Sequence, residues 1–445
     1  MNFSVHGLWR FFSSVKLALF TLFVLAATSI FGTFIEQQKT QEFYVDKYGE
    51  SLAGILELLS LTNMYSSWWF VALLLLFSVN LVVCSIERLP GVWQIVVGPG
   101  NEMTPEQLKK LACSFSLTTK KSVAEAVEKI EETLVLRGWK KLQIKTTDAD
   151  LASVSAQRGG WTRLAVYVVH VSILIVLLGA LIGALFGFQA YIFLPEGRSS
   201  DTVFYQKNRE ALPLGFVIYC DDAQKSFYPD GMISEFRADM RVQDTQRGVS
   251  FDKSVIVNDP LSYRGINFYL GDFHPIDEFI VVVSDMQKGT EQAFRVGAEM
   301  DFSWPDSQVT ARLEEFTRGE DGEVLLAKII FSTDQDSEPT EVWVRNNNSG
   351  TLEHAGQEFR VSLEQLTSVL LLVNKDPGVL IVWAGFILLS VGLYISFFMS
   401  HRRIWICFAA TGKGTRVVVG GSSNKNRPGF EKLFSELTEQ ISREL

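Results

Sequence analysis

The chain has 445 residues, 47% of them hydrophobic, with 41 Lys or Arg against 50 Asp or Glu for a formal net charge of −9. The apolar residues are gathered into long runs, which marks an integral membrane protein. Four cysteines, Cys84, Cys113, Cys220 and Cys407, form no C-x-x-C pair and no C-x-x-C-H, which excludes a thioredoxin-like redox motif and a c-type haem attachment site on this chain.

Residues Met1–Ser14, with Arg10 and the amphipathic LWRFF, read as an interfacial lead-in. The apolar run Val15–Ile35 predicts a first membrane-spanning helix, with Lys16 able to snorkel to the near surface. It lacks the short apolar core and small-residue cleavage site of a signal peptide, so the span is read as uncleaved. In the following loop, Leu52, Ile55, Leu56 and Leu59 recur at helical spacing. That pattern fits either an interfacial amphipathic helix or a short helix packed on the spans. Trp68–Ile86 is the second span, opened by Trp68-Trp69 at headgroup level. These two spans form an N-terminal membrane pair over residues 1–86.

Residues 87–163 carry twelve Lys or Arg against nine Asp or Glu and read as a small α+β insert. Thr104-Pro105-Glu106 is an N-cap with proline at the first helical position. Strands are expected at Ser114–Thr119, Trp139–Thr146 and Leu151–Ala156, and a helix from Ser122 to Leu136. The mixed charges, a net near +3, are no nucleic-acid footprint, and no nucleic-acid partner is expected. Residues 164–188 are the third span, 25 residues without a formal charge.

Residues 189–377 carry 17 Lys or Arg against 32 Asp or Glu, a net of −15. β-prone segments recur at Phe216–Tyr219, Glu235–Gln243, Val249–Val257, Ile266–Tyr269, Phe279–Val283, Val309–Phe316, Leu325–Phe331, Glu341–Arg345, Gln357–Leu363 and Ser368–Val373. Their spacing predicts an antiparallel sandwich or barrel-like domain. Val379–Met399 is the fourth span. His401-Arg402-Arg403 opens a polar tail, 400–445, in which Gly420-Gly421-Ser422-Ser423 precedes a short helix near Phe430–Leu445.

The fold class expected is therefore a polytopic α-helical membrane protein with four transmembrane helices, a large β-rich extracytoplasmic domain and a small α+β cytoplasmic insert. Arg10, Lys16, Arg88, Arg158, Arg163, Arg402 and Arg403 flank one side of the spans; Glu36, Glu42 and Asp376 flank the other. Lysine and arginine bias in short loops puts both termini and the insert inside and the acidic domain outside. Only Cys220 then lies outside, so that domain must fold on its own core rather than on an intramolecular disulfide. Asp221 and Asp222 beside it disfavour a thiolate.

Chemistry concentrates on His170, about two turns into the third span. An imidazole at that depth loses hydration and is retained with a partner: a polar group, a water-filled cavity or a metal. The alternative is a packed histidine bonded to a neighbouring helix. Small residues Gly179, Ala180, Gly183 and Ala184 follow it at near i, i+4 spacing and would admit a close helix. His274 and His354 fall in the outer domain and are expected to be solvated or capping residues; His6 and His401 lie at the inner margins, and no ligand role is expected of them.

Several motifs, taken in order, resemble the ResB/CcsB family of System II cytochrome c biogenesis proteins. Span one ends in Gly32-Thr33-Phe34-Ile35-Glu36-Gln37, and Glu87-Arg88-Leu89-Pro90 after span two resembles the family's turn. His170 precedes Leu178-Gly179-Ala180-Leu181. The outer domain holds Phe236-Arg237-Ala238-Asp239 and the run Val257 to Tyr269, VNDPLSYRGINFY; Asp376-Pro377-Gly378 and Arg402-Arg403-Ile404-Trp405 flank span four. Leu270, Ala238 and Glu36 depart from the family pattern. The resemblance implies a bacterial cytoplasmic (inner) membrane protein that works with a CcsA/ResC-type haem-handling partner. The pair would carry haem across the membrane and attach it to the reduced Cys-x-x-Cys-His of apocytochrome c. It implies His170 as an axial ligand of haem iron, the cofactor being haem b in transit, shared with the partner, and thiol-reducing proteins outside the cytoplasm as further partners. The partner's tryptophan-rich haem-handling motif is absent, so this chain is a non-autonomous subunit of the attachment complex, with no catalytic residue of its own expected.

Two other functions compete. One is a membrane-anchored scaffold whose β-domain docks an apoprotein, with His170 a packing residue. The other is a cytochrome b-type electron-transfer subunit, for which a single intramembrane histidine supplies only half of a bis-histidine site.

Overall fold

The computed structural model describes residues 5–98, 102–148, 150–230, 232–303, 309–319, 322–333, 339–354 and 357–445. In chain order, helices α1 (Val5–Phe12), α2 (Val15–Phe34), α3 (Gln41–Tyr48), α4 (Glu50–Leu58) and α5 (Trp68–Val97) lead to the short α6 (Pro105–Leu108). Then come β1 (Cys113–Thr119), α7 (Val123–Leu136), β2 (Lys140–Asp148), β3 (Leu151–Arg158) and α8 (Ala165–Phe186). The strand-rich region holds β4 (Phe188–Pro195), β5 (Arg198–Tyr205), β6 (Ala211–Phe227), β7 (Ile233–Asp244), β8 (Val249–Ile256), β9 (Leu261–Tyr263) and β10 (Ile266–Asp285). It continues with β11 (Thr290–Gly297), β12 (Asp301–Ser303), β13 (Val309–Arg318), β14 (Val324–Thr333), β15 (Thr340–Arg345), β16 (Asn348–His354) and β17 (Gln357–Lys375). The chain closes with α9 (Val379–Phe398), β18 (Arg402–Thr411), β19 (Gly414–Ser423) and α10 (Arg427–Glu444). Two compact units result: residues Met1–Ala180 with Val379–Leu445, and residues Leu181–Gly378.

Among the described residues, four helices are long and apolar enough to cross a membrane: α2, α5, α8 with its preceding turn, and α9. Gln37, next to the end of α2, explains why the first motif ends as it does. Its Nε2 donates to the carbonyls of Gly32 (3.1 Å), Ile35 (2.8 Å) and Leu61 (3.0 Å), and its Oε1 accepts from the Met64 amide (2.9 Å). It thereby satisfies carbonyls that a helix end leaves open. Gly32 has no room for a Cβ, which would lie 2.3 Å from the Met64 side chain. Leu52, Ile55 and Leu59 on and after α4 are exposed, leaving an uncovered apolar face.

The helix that contains the second span runs on past Ile86. Helix α5 runs unbroken to Val97, and Glu87-Arg88-Leu89-Pro90 lies within it rather than in a turn. Pro90 removes one backbone hydrogen bond, but this does not end the helix.

Residues 87–163 do not form a separate fold from the tail. The five-stranded antiparallel sheet has the order β1-β19-β18-β3-β2, so the tail's two strands lie among the insert's own. Serine 122 and Glu125 form a capping box at the start of α7. Helices α7 and α10 bury Ile130, Leu134, Phe430 and Leu437 against Ile406 and Val419 of the sheet. Gly420 and Gly421 are packing residues rather than a linker: added Cβ atoms would lie 2.8 Å from Leu108 and 2.7 Å from Phe430.

The acidic unit is antiparallel, as its alternation predicts, but it is built on two sheets and two cores. Strands β11-β10-β17-β4-β5-β6-β7-β8 make the main path of a ten-stranded sheet, with β9 and β16 at its sides; β12-β13-β14-β15 make a second sheet. The 20-residue β10 and 19-residue β17 serve both cores: Phe268 and Val373 lie in one, Val281 and Leu363 in the other. Between them the register slips at Leu270/Asp272 and Pro275/Phe279. Buried Gln365 stitches this break, accepting from the Val324 amide (2.7 Å) and donating to the Ile276 carbonyl (3.1 Å).

Candidate functional site

The third span carries one histidine, His170, half-buried among the helices of its unit. Its Nδ1 lies 2.8 Å from Ser85 Oγ on α5. Ser85 has one hydroxyl proton, and its Oγ lies 2.6 Å from the Leu81 carbonyl, the i−4 acceptor on the same helix. With that proton committed, Oγ accepts from His170 Nδ1–H, which leaves the Nε2 lone pair open. Among the described residues Nε2 has no hydrogen-bond partner. The Tyr167 ring meets the imidazole edge-on, 6.3 Å between centroids.

Of the small residues after His170, Gly179 is buried and a Cβ at Gly183 would lie 2.5 Å from Asp376, but the close helix approach also needs α9: Cβ atoms at Gly385 and Gly392 would lie 2.6 Å from Val176 and 2.9 Å from Val169. Ala180 and Ala184 on α8 are exposed. Only 11% of the third span's most apolar window is buried, so most of that helix is left for lipid or another protein to cover.

The remaining histidines are dispersed. His274 is exposed, with Nε2 4.0 Å from Asp272 Oδ2 and its ring 5.5 Å from that of Phe193. His354 ends β16, and its side chain lies outside the described residues. His6 is exposed on α1. His401 is buried: its Nε2 lies 3.0 Å from Gln157 Oε1 and 3.3 Å from Arg403 Nε, so it ties β18 to β3. Among the described residues no three His, Cys, Asp or Glu side chains are grouped to hold a metal ion.

The thiols are protected. Cys220 is fully buried, and burial, then the carboxylates of Glu196, Asp221, Asp222 and Asp239, push its thiol up to about 12. Burial also raises Cys113 and Cys407.

The run VNDPLSYRGINFY forms a frame rather than a nucleophile–base pair. Arg264 and Gly265, both at positive φ, turn β9 into β10. Arg264 then pairs with buried Asp244, which also accepts from the Tyr263 hydroxyl (2.8 Å) and the Arg247 amide (3.1 Å). Burial opposes the Asp244 carboxylate, but those contacts together hold it below its ordinary range.

Residues 15–316 and 327–435 match the ResB-like family. The chain belongs to the ResB-like family. Curated relatives named cytochrome c biogenesis protein CcsB agree along nearly its whole length. One from Trichormus variabilis is 29% identical over 97% of this chain and 91% of the relative. One from Gloeobacter violaceus is 28% identical over 96% and 89%, and one from Microcystis aeruginosa 29% over 96% and 94%. The motifs of this ResB-like chain sort into roles: Gln37 caps an apolar helix, Arg264 anchors a buried carboxylate, and His170 is held through Nδ1 with Nε2 unbonded among the described residues. Ser85 was not visible as a site residue in the sequence, because a serine in an apolar span ordinarily closes on its own helix.

Proposed function

We propose that this ResB-like chain is the membrane subunit of a System II cytochrome c synthase. In this reading it assists haem transfer across the bacterial cytoplasmic membrane and covalent attachment to apocytochrome c, together with a CcsA/ResC-type partner. Both termini and the five-stranded sheet unit are cytoplasmic, and the acidic β unit is periplasmic, in contact with apocytochrome and thiol-reducing proteins. His170 ligates haem b in transit, with the second axial ligand on the partner.

The observation that carries this reading is the Ser85–His170 pair. A ring held through Nδ1–H, with Nε2 open, is the arrangement in which imidazole serves as a metal ligand. The residues present therefore fit a haem iron with one axial bond from this chain. When bound, the iron would be held through imidazole, whose identity helps set its potential. The chain's own part is to orient the ring, hold the Nδ1 proton at Ser85 and supply the span against which the partner closes. The names of the relatives support cytochrome c maturation as the process served.

The test is maturation in a host without System II proteins of its own. Co-expression with the partner should give covalent haem on a reporter cytochrome c, and His170→Ala should lower it severalfold at equal abundance. Reporter fusions ending at Arg247 and at Leu445 should report opposite compartments in the same host. Full maturation with His170→Ala favours the scaffold reading.

A further inference from the structure

One turn and more along the helices from His170, a cleft of about 550 Å3 opens, lined by Arg88, Arg163, Lys425, Glu87, Gly91 and Tyr167. It belongs to the same two helix faces as the histidine. On α5, Ser85 and Arg88 are three residues apart; on α8 and the turn before it, His170, Tyr167 and Arg163 follow at spacings of three and four. Seven residues separate Arg163 from His170, roughly 10 Å along a helix. That span is comparable with the reach from the centre of a porphyrin to its carboxylate-bearing edge.

The cleft's charge is unbalanced. Glu87 accepts from Trp9 Nε1 at 2.7 Å, and Lys425 Nζ is engaged by the Ser396 carbonyl. Among the described residues, Arg88 and Arg163 have no ion pair, and Arg163 Nε is buried without a hydrogen-bond partner. Arg403 lies close enough to Arg163 to feel its charge; burial first, and then that charge, lower its guanidinium. Guanidinium groups at the end of an apolar groove call for an anion.

We propose that Arg88 and Arg163 hold the propionate carboxylates of the haem whose iron His170 ligates, which fixes its orientation beside α8. This rests on the reading of His170 above. Haem is an apolar disc with two carboxylates on one edge; His170 itself does not line the cleft, but its nitrogen and the cleft's cations follow one another along α5 and α8 at helical spacing. An anionic phospholipid headgroup is the competing occupant; it accounts for the cations but not for their alignment with His170.

The experiment uses the complex purified with its partner from haem-limited cells and titrated with haem or with haem dimethyl ester, whose carboxylates are blocked. Wild type should hold haem at least about tenfold more tightly than the diester, as expected for losing charge-assisted bonds. The Arg88→Gln, Arg163→Gln double variant should lose that preference while keeping the Soret position set by His170. Lysine at both positions should restore much of it, which separates charge from folding. Equal affinity of wild type for both porphyrins overturns the proposal while the His170-dependent Soret band stands. So does a double variant that keeps its preference for haem but loses co-purified anionic phospholipid. A Soret band indifferent to His170 overturns the underlying reading and this one with it.

Discussion

Ser85 Oγ lies 2.8 Å from His170 Nδ1 and 2.6 Å from the Leu81 carbonyl, so one hydroxyl on α5 fixes both the tilt and the tautomer of the imidazole on α8. Removing it frees the ring without removing the proposed ligand. Ser85→Ala should weaken haem retention by about 10- to 100-fold, the usual cost of losing a ligand's outer hydrogen bond. Haem content of Ser85→Ala and wild-type complexes, purified in parallel, checks this; equal retention would mean that the serine is only a packing contact.

In the acidic unit, Asp244 is wholly buried and Arg264 is its charged partner. Arg264→Ala should destabilise that unit by about 3 kcal/mol, because an unpaired carboxylate stays buried. Asp244→Asn in the same chain should recover part of the loss. Thermal unfolding of the three proteins decides the matter: an Arg264→Ala melting temperature equal to wild type contradicts a structural role for this pair.

Glu196, at the turn between β4 and β5, is pushed up to about 7, chiefly by burial and then by its hydrogen bond with Asp222. The folded state therefore holds a proton that the unfolded chain releases near 4.5. Its stabilising contribution is complete below that value and is lost as pH rises through about 7. Glu196→Gln keeps the group neutral. The variant should melt with wild type at pH 4.5 and above it at pH 8, by about 2–4 °C for each kcal/mol in a unit of this size. A gap that is the same at both pH values would remove Glu196 as the titrating group.

Strands β18 and β19 lie between β1 and β3 in the five-stranded sheet. Truncation after Ser400 leaves all four apolar helices but takes out the middle of that sheet and the Phe430 and Phe434 contacts. The truncated chain should lose protease resistance across residues 113–158 and fall in abundance. A protease-resistant fragment of unchanged size would show that the insert folds without the tail.

How far the sequence could be read follows from what each residue competes with. The apolar runs were legible because some 20 residues without charge leave a spanning helix few alternatives. The extension of α5 to Val97 was not, since Glu87, Arg88 and Pro90 together imitate the end of a span. Strand β10 looked like two because Gly271 and Pro275 carry turn chemistry where the ladder in fact slips register and continues, and β17 looked like two because Glu364-Gln365 interrupt its apolar pattern at the same level. Gly420-Gly421 gave no strand signal in the polar tail, because the glycines are there to admit Leu108 and Phe430 against β19. His170 stood out by its depth in an apolar run, but Ser85 and the Arg88–Arg163 cleft needed the packing of α5 on α8 to bring them beside it.

Haem content and spectrum read the His170 imidazole most directly. Wild-type and His170→Ala complexes, purified with the partner at equal yield, should differ in haem-to-protein ratio and in Soret position, the variant holding severalfold less haem with a shifted band. Added imidazole should restore part of both if it reaches the vacated coordination site. Identical ratios and identical spectra would contradict ligation by His170 and leave this chain a scaffold.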